Sequence, residues 1–144
     1  MNQKIQFFSE DFNYTPKSKG KLRIWLTSVI KVEKKKPWYI NFIFCSDEYL
    51  YELNRNYLKH ETLTDIITFP FTGEEGNISG DVFISIPRVK ENAGKFGQDF
   101  ESELHRVMIH GILHLLGYKD KSKEEKKEMT AKENQYLTLI PVSF

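Results

Sequence analysis

The chain has 144 residues, a length that suits one domain with a buried core. Hydrophobic residues make up 40% of it and aromatic residues 14%, which excludes an intrinsically disordered protein. With 21 basic and 20 acidic residues the net charge is +1, so any site for a polyanion must be a local patch. We therefore expect a single domain spanning residues 1–144.

The cysteine content and the N-terminus narrow the class of protein further. Cys45 is the single cysteine, which excludes an internal disulfide and a cysteine-rich zinc site. The first residues contain no long apolar core, so no signal peptide is predicted. No apolar run approaches the roughly 20 residues of a membrane span. These features predict a cytoplasmic protein with no membrane partner.

In chain order, the first part of the sequence predicts two strands and two helices. Residues 4–8 are apolar-rich and predict a first strand. Apolar residues recur at helical spacing in residues 22–32, and Pro37 prevents that helix from continuing. Residues 38–45 are aromatic and β-branched and predict a buried strand. Ser46 then provides the N-cap of a second helix.

Three consecutive lysines, residues 34–36, separate the first helix from the strand that follows. The usual interpretation is a solvated helix end, because cations near a helix C-terminus interact favourably with its dipole. The alternative is a contact with a phosphate backbone. The sequence alone leaves both interpretations open.

The middle of the chain predicts a pair of strands. Residues 62–64 predict a turn, and residues 65–69 and 80–86 predict strands on either side of a short glycine-rich loop. Such a loop favours antiparallel pairing. Pro70 ends the first of these strands, which suits the edge of a sheet.

The last part of the chain is predicted to be helical. Gly94 and Gly97 are expected to break one helix before the next begins near residues 98–99. That next helix is apolar nearly all round, which predicts a helix buried through the core. Residues 122–139 predict a charged last helix that begins with a capping box. Together the elements predict an α+β fold: a mixed sheet of about four strands packed with helices, with the functional site on the buried central helix.

The central helix carries the main functional pattern, HGILHLLGYKD at residues 110–120. His110 and His114 lie on one helical face, because residues i and i+4 are one above the other. Gly117 is expected to end the helix, so that the chain folds back and brings Asp120 to the same ion. Two nitrogens, one oxygen and an open position predict a catalytic site for one metal ion, with zinc preferred. The alternative, two core histidines bonded to backbone, requires a separate set of buried partners for each ring.

This stretch and three segments before it resemble the YbeY family of bacterial metal-dependent endoribonucleases of ribosomal RNA maturation. The three segments are Leu53-Asn54 with Tyr57, TDIITFP at residues 64–70 and GDVFI at residues 80–84. The resemblance covers about residues 53–120. It implies an α+β fold, one bound zinc ion and cleavage of single-stranded RNA. It also implies work with the ribosomal small subunit and associated proteins on 16S rRNA 3′-end maturation and ribosome quality control.

Three positions depart from the family's pattern. Asp120 stands where the family commonly has a histidine as third ligand, which makes the ligand set harder and more anionic. Leu58 stands where the family often has an arginine that meets phosphate, with Arg55 and Lys59 as candidates to replace it. Leu63 replaces a proline, which is a minor change in the rigidity of a turn.

Metal-assisted phosphodiester hydrolysis is the mechanism that these residues predict. Arg106 lies four residues before His110 and is a candidate to offset the charge that develops on the phosphate. The alternative is that Arg106 only pairs with Glu101 or Glu103. The resemblance places Asp65 beside the metal, where it is expected to orient a ligating histidine.

Three further charged positions near this helix have weaker predictions. His105 points about 100° away from Arg106 around the helix and is expected at the surface. Lys119 and Lys121, in the loop after the helix, are candidates to meet RNA phosphates, although exposed loop lysines often have no such role.

Two other functions compete with the endoribonuclease. A non-catalytic ribosome-assembly factor with a structural zinc is favoured by the net charge of +1 and by Leu58. Zinc peptidases of the H-E-x-x-H type use the glutamate beside the first histidine as general base, and Gly111 occupies that position here. A peptidase would therefore lack its proton acceptor.

Overall fold

The computed structural model describes residues 4–58, 64–71 and 73–141. Residues 62–63 of the predicted turn, which include Leu63, lie outside this range, as does Lys59. The elements in chain order are β1 (Ile5–Ser9), α1 (Lys19–Val32), β2 (Lys36–Cys45), α2 (Asp47–Tyr57), β3 (Ile66–Pro70), β4 (Asn77–Ser85), α3 (Ile86–Lys95), α4 (Phe100–Leu115) and α5 (Lys123–Leu137).

The strands form one mixed sheet with the order β1-β2-β4-β3. β1, β2 and β4 run parallel, and β3 pairs antiparallel with β4, as the glycine-rich loop between them predicted. Pro70 is the last residue of β3, the edge strand, where a missing N–H removes no hydrogen bond from the interior of the sheet. The predicted α+β class with a mixed sheet is confirmed.

Alternation along the strands gives the sheet two different faces. One face, which includes Phe42 and Val82, packs against α1 and α4 in the main core. The opposite face, which includes Ile67 and Phe83, packs against α2 in a smaller cluster. The edge strand β3 belongs to both clusters, so its side chains meet α2 on one side and α4 on the other.

Helix α4 runs through the centre of the fold, in contact with β3, β4, α1, α3 and α5. Its buried position confirms the prediction from its apolar residues. His105 on this helix is only 8% exposed and packs edge-on against Trp25 of α1, so its expected surface position is wrong. Burial lowers the pKa of His105, with a partial opposing effect from Asp99. The uncharged ring therefore completes the core between the two helices.

The helix ends follow the local signals in the sequence, with three differences, the first of which is that α1 begins at Lys19 rather than at residue 22. Gly94 lies within α3, whereas Gly97 follows that helix at a φ of 66°, so only the second glycine marks the break. Ser122 caps α5 through a capping box, and the helix ends at Leu137 rather than near Leu139. Among the residues that the structure describes, no helix has the length and apolar content to cross a bilayer.

Gly111 determines how closely α4 approaches the sheet. A Cβ atom at this position would lie 2.8 Å from Val82 Cγ1 and 3.1 Å from Ile66 Cδ1. Val82 is fully buried, so its side chain cannot move without disturbing its neighbours. The position beside His110 faces the sheet, and there is no room in it for a peptidase glutamate.

We expect Gly111→Ala to lower the free energy of unfolding by about 1–3 kcal/mol, because the new methyl group overpacks the contact between helix and sheet. Denaturant unfolding followed by circular dichroism measures this change. Gly94→Ala is the matched control: it also lies in a helix, but a Cβ there meets no atom within 4 Å. Because alanine also favours a helix over glycine, the decisive comparison is with this control, and a Gly111→Ala variant as stable as Gly94→Ala would contradict the close packing.

Candidate metal centre

The three side chains that the sequence predicted as metal ligands converge on one point. His110 Nε2 lies 3.0 Å from His114 Nε2, and Asp120 Oδ2 lies 3.2 Å and 3.3 Å from these two nitrogens. A tetrahedral ion with bonds of about 2.0–2.2 Å separates its ligand atoms by roughly 3.3–3.6 Å, within a few tenths of an ångström of these distances. The spacing of the donor atoms thus fits one metal ion, and the three residues form a group that can hold it.

The turn after α4 explains how Asp120 returns to the histidines. Gly117 has a φ of 104°, a left-handed conformation that glycine adopts without the steric cost of a Cβ. The N–H groups of Gly117 and Tyr118 donate to the carbonyls of His114 and Leu113, the pattern of a Schellman motif. The predicted helix stop is therefore confirmed, and it reverses the chain within a few residues.

The first half of the loop is anchored to α1 through Glu33. Tyr118 Oη donates to Glu33 Oε1 at 2.8 Å, Tyr136 Oη donates to the other carboxylate oxygen, and Lys132 Nζ lies 3.5 Å from it. Burial alone would raise the pKa of Glu33, but the hydrogen bonds from both tyrosines and the Lys132 charge outweigh it and lower the pKa. An ionised Glu33 thus ties the loop to the end of α1.

The second half of the loop is fixed by the start of α5. Glu125 accepts hydrogen bonds from the backbone N–H groups of Lys121 and Ser122, at 3.1 Å and 2.9 Å. The Ser122 hydroxyl in turn accepts from the Glu125 N–H and completes the capping box. Asp120 lies between these two anchored segments, so its carboxylate has a defined position beside the histidines.

Glu133 of α5 contacts His110 on the other side of the ring. Its Oε2 lies 2.7 Å from His110 Nδ1, and only 7% of Glu133 is exposed. A proton on Nδ1 serves this bond and leaves the lone pair of Nε2 directed toward His114 and Asp120. Burial lowers the pKa of His110, but Glu133, followed by Asp120 and Asp65, outweighs burial and raises it. Glu133 was not among the residues that the sequence analysis singled out.

Arg106 binds the same carboxylate as His110. Its Nη1 lies 2.8 Å from Glu133 Oε1, and its Nη2 donates to Asn134 Oδ1 at 2.7 Å. Among the described residues its ion pair is with α5, so the alternative of pairing with an acid of its own helix is wrong. The guanidinium lies on the Nδ1 side of the His110 ring, and its predicted contact with the reacting phosphate stays a prediction.

Asp65 lies just before β3 and lines the same cleft as the two histidines. Burial raises its pKa, while its own backbone N–H, the charge of His110 and a hydrogen bond from Asn92 act in the opposite direction. The carboxylate bonded to His110 Nδ1 is that of Glu133. The orienting role predicted for Asp65 therefore stays a prediction, with Glu133 as a competing residue.

The three donors open into a cleft of about 750 Å³ between β3, the end of α2 and the loop after α4. Leu58 lines it, whereas Arg55 pairs with Glu52 on the surface of α2 at 2.6 Å. Lys121 is the cation among the described lining residues. The side chains of His110, His114 and Asp120 are 22%, 29% and 37% exposed, so a ligand can reach the donor atoms from the cleft.

An α+β fold with two histidines and a carboxylate lining an open cleft fits the class of metal-dependent hydrolases. A family model described as Endoribonuclease YbeY matches residues 4–140. The chain belongs to the YbeY family, and the resemblance that the sequence motifs indicated is confirmed.

Individual relatives agree with this assignment over nearly the whole chain. Proteins named Endoribonuclease YbeY from Cytophaga hutchinsonii and Parabacteroides distasonis are 50% and 46% identical to it. The alignments cover 94% and 95% of this chain and 94% and 96% of those proteins. The solution structure of TM1509 from Thermotoga maritima is similar with a TM-score of 0.66 and 31% identity, over 94% of this chain and 88% of that one.

We expect Glu133→Gln to weaken metal binding about 10- to 100-fold, because a neutral amide supports the ligating tautomer of His110 less well than a carboxylate. Competition with a chromophoric chelator measures the zinc affinity, and the absorption spectrum of the cobalt-substituted protein reports the ligand geometry. Glu128→Gln, an exposed glutamate of the same helix, is the matched control.

The same assay separates Glu133 from Asp65. Asp65→Asn is expected to change the metal affinity less, because Glu133 rather than Asp65 contacts the Nδ1 atom of His110. A large loss in Asp65→Asn with none in Glu133→Gln would reverse the assignment of the orienting carboxylate.

Proposed function

We propose that this chain is a zinc-dependent, single-strand-specific endoribonuclease that acts in the cytoplasm on the 3′ end of 16S rRNA. Its proposed roles are maturation of that RNA and ribosome quality control. Its proposed partners are the ribosomal small subunit and associated proteins. The observation that carries it is the convergence of His110, His114 and Asp120 at the floor of an open cleft of about 750 Å³. Membership of a family whose curated members are named endoribonucleases supports RNA as the substrate.

The chemistry follows from what each residue holds. His110, His114 and Asp120 would hold the ion, which when bound would supply an activated water and polarise a phosphoryl oxygen. Glu133 keeps the proton of His110 on Nδ1, away from the metal-binding nitrogen. Arg106, which forms an ion pair with Glu133, is proposed to offset the negative charge of that carboxylate next to the site.

Zinc is proposed over other divalent ions because of the donor set. Two imidazole nitrogens suit zinc, whereas magnesium and calcium prefer oxygen ligands. Three protein donors and an accessible side match a catalytic site, because structural zinc sites are closed by four protein ligands. The described residues offer three such donors within reach of one another.

A non-catalytic assembly factor is the second candidate. Leu58 supports it, since an apolar side chain lines the cleft where the family pattern often has a phosphate-binding arginine. On this alternative the protein would bind zinc and ribosomal RNA without cutting the RNA. The two functions therefore differ in one measurable result, metal-dependent cleavage.

We expect His114→Ala to reduce cleavage of single-stranded RNA by at least about 100-fold, because the site loses one of three ligands and with it the stabilisation of developing charge. Purified protein is assayed on end-labelled RNA, with zinc content measured by elemental analysis. Circular dichroism establishes that the variant is folded. Chelation of the wild type should abolish cleavage, and zinc should restore it.

The same assay contains the results that would contradict the proposal. Equal cleavage by the wild type and the His114→Ala variant would point to a contaminating nuclease. Zinc binding by the wild type with no cleavage of any single-stranded RNA would favour the assembly factor.

Lys121 is proposed to contact the RNA phosphates at the rim of the cleft. We expect Lys121→Gln to raise KM for RNA several-fold and to flatten its dependence on salt, because one phosphate contact is lost. Lys119→Gln is the matched control, since it removes the same charge from the same loop but does not line the cleft. Identical salt dependence in the two variants would exclude a specific role for Lys121.

A further inference from the structure

Three exposed aromatic side chains meet at the end of the sheet where β2 and β4 begin. Trp38, Tyr39 and Phe71 are 45%, 49% and 48% exposed, and all three line one cleft of about 340 Å³. We call these three residues the aromatic platform. Apolar rings of this size are normally buried, so their shared exposure marks a surface with an interaction role.

The sheet itself causes the exposure of the two adjacent rings. The register of β2 against β4 shifts between Pro37 and Ile40, so the side chains of Trp38 and Tyr39 do not simply alternate between inside and outside. The two rings contact each other edge to face at 5.3 Å. Irregularities of this kind redirect side chains beside functional sites.

The composition of the platform fits nucleotide bases better than a protein surface. Within the part of the chain that the structure describes, the other residues that line this cleft are Gly73, Glu74, Asn77 and Ser79. No aliphatic side chain is among them. Rings that stack on base faces, next to small polar groups that can reach base edges, are what single-stranded RNA requires.

Lysines bring positive charge to the same place. Lys4 Nζ lies 3.7 Å from the ring centroid of Trp38 and 5.3 Å from that of Tyr39. Lys36 is exposed two residues before Trp38 and belongs to the lysine run whose role the sequence left open. Glu74 is the acid among the described residues that line the cleft.

The platform follows the metal cleft directly along the chain, at the end of β3. Pro70 lines the metal cleft, and Phe71, the next residue, belongs to the aromatic platform. The Phe71 N–H donates to the Ser79 carbonyl, and the Ser79 hydroxyl accepts from the Tyr39 N–H at 3.4 Å. Two strand spacings, roughly 10 Å, therefore separate the end of the metal cleft from the far ring.

We propose that the aromatic platform binds the single-stranded RNA that leaves the metal cleft past Pro70, by stacking its bases on Trp38, Tyr39 and Phe71. Lys4 and Lys36 pair with the phosphates of this flanking segment. The proposal rests on the proposed endoribonuclease function. It adds a second contact region outside the cleavage site, which fixes the strand and favours substrates long enough to reach both.

Tryptophan fluorescence tests the contact directly. The chain has two tryptophans, and Trp25 is 1% exposed, so Trp38 is the one that RNA can reach. We expect single-stranded RNA to quench the emission of the wild type at low ionic strength. Trp38→Phe should bind RNA nearly as tightly, as measured by fluorescence anisotropy of labelled RNA, but show no quenching.

Kinetics with RNAs of two lengths test the contribution of the aromatic platform to RNA binding. We expect the double variant Trp38→Ala with Tyr39→Ala to raise KM about 5- to 100-fold for RNA long enough to reach the platform. KM for a short RNA that fills only the metal cleft, and kcat for both, should stay unchanged. Phe96→Ala is the matched control, since Phe96 is 64% exposed but lines a different cavity. Thermal unfolding establishes that all variants are folded.

The outcomes separate this proposal from the function on which it rests. If the wild type cleaves RNA but the double variant has the same KM for both lengths, the platform proposal is wrong and the endoribonuclease stands. Unchanged Trp38 emission at saturating RNA leads to the same conclusion. If the wild type neither binds nor cleaves single-stranded RNA, both proposals are wrong.

Discussion

The close contact of α4 with the sheet is the constraint on which the site depends. Gly111 brings the helix so near to Val82 and Ile66 that a single methyl group would not fit. His110, the residue before Gly111, is turned about 100° from this contact around the helix. His114 lies one turn after His110 on the same face, so both histidine rings reach the edge of the sheet. Because the surrounding core is packed at high density, the ligand pair has little freedom to move.

The carboxylate of Glu133 is the second constraint on the position of the histidines. Glu133 is nearly buried, and a buried charge is costly unless it is paired and hydrogen-bonded. His110 on one oxygen and Arg106 on the other satisfy it. The same pairing that stabilises α5 against α4 therefore also selects the histidine tautomer that binds metal. The Glu133 side chain thus contributes both to the packing of α5 and to the orientation of His110. Helix α5 therefore belongs to the site although it supplies none of the predicted ligands.

The features that the sequence predicted are those that depend on neighbours along the chain. The i, i+4 histidines, the stop at Gly117 and the capping box at Ser122 are local patterns with local causes, and the structure has all three. Glu133 is 23 residues from His110 and is one of several acids on a charged helix, so no spacing distinguishes it. His105 likewise depends on Trp25, which is far away in sequence. Contacts between elements that are distant in sequence, such as these two, could not be predicted from the sequence.

The two departures from the family pattern at the cleft act in the same direction. Asp120 adds a negative charge where the pattern has a neutral histidine, and Leu58 removes a positive charge where it often has an arginine. Phosphate is therefore attracted less strongly to the floor of this cleft than in a relative that keeps both residues. On the proposed function, affinity for RNA would then come from cations and stacking surfaces farther from the two histidines. Lys121 at the rim, and Lys4 beside the exposed rings of β2, lie where such compensation is needed. A metal site of reduced positive charge, with its RNA affinity placed at the periphery, would hold its substrate by the flanking strand and would release the cut phosphate readily.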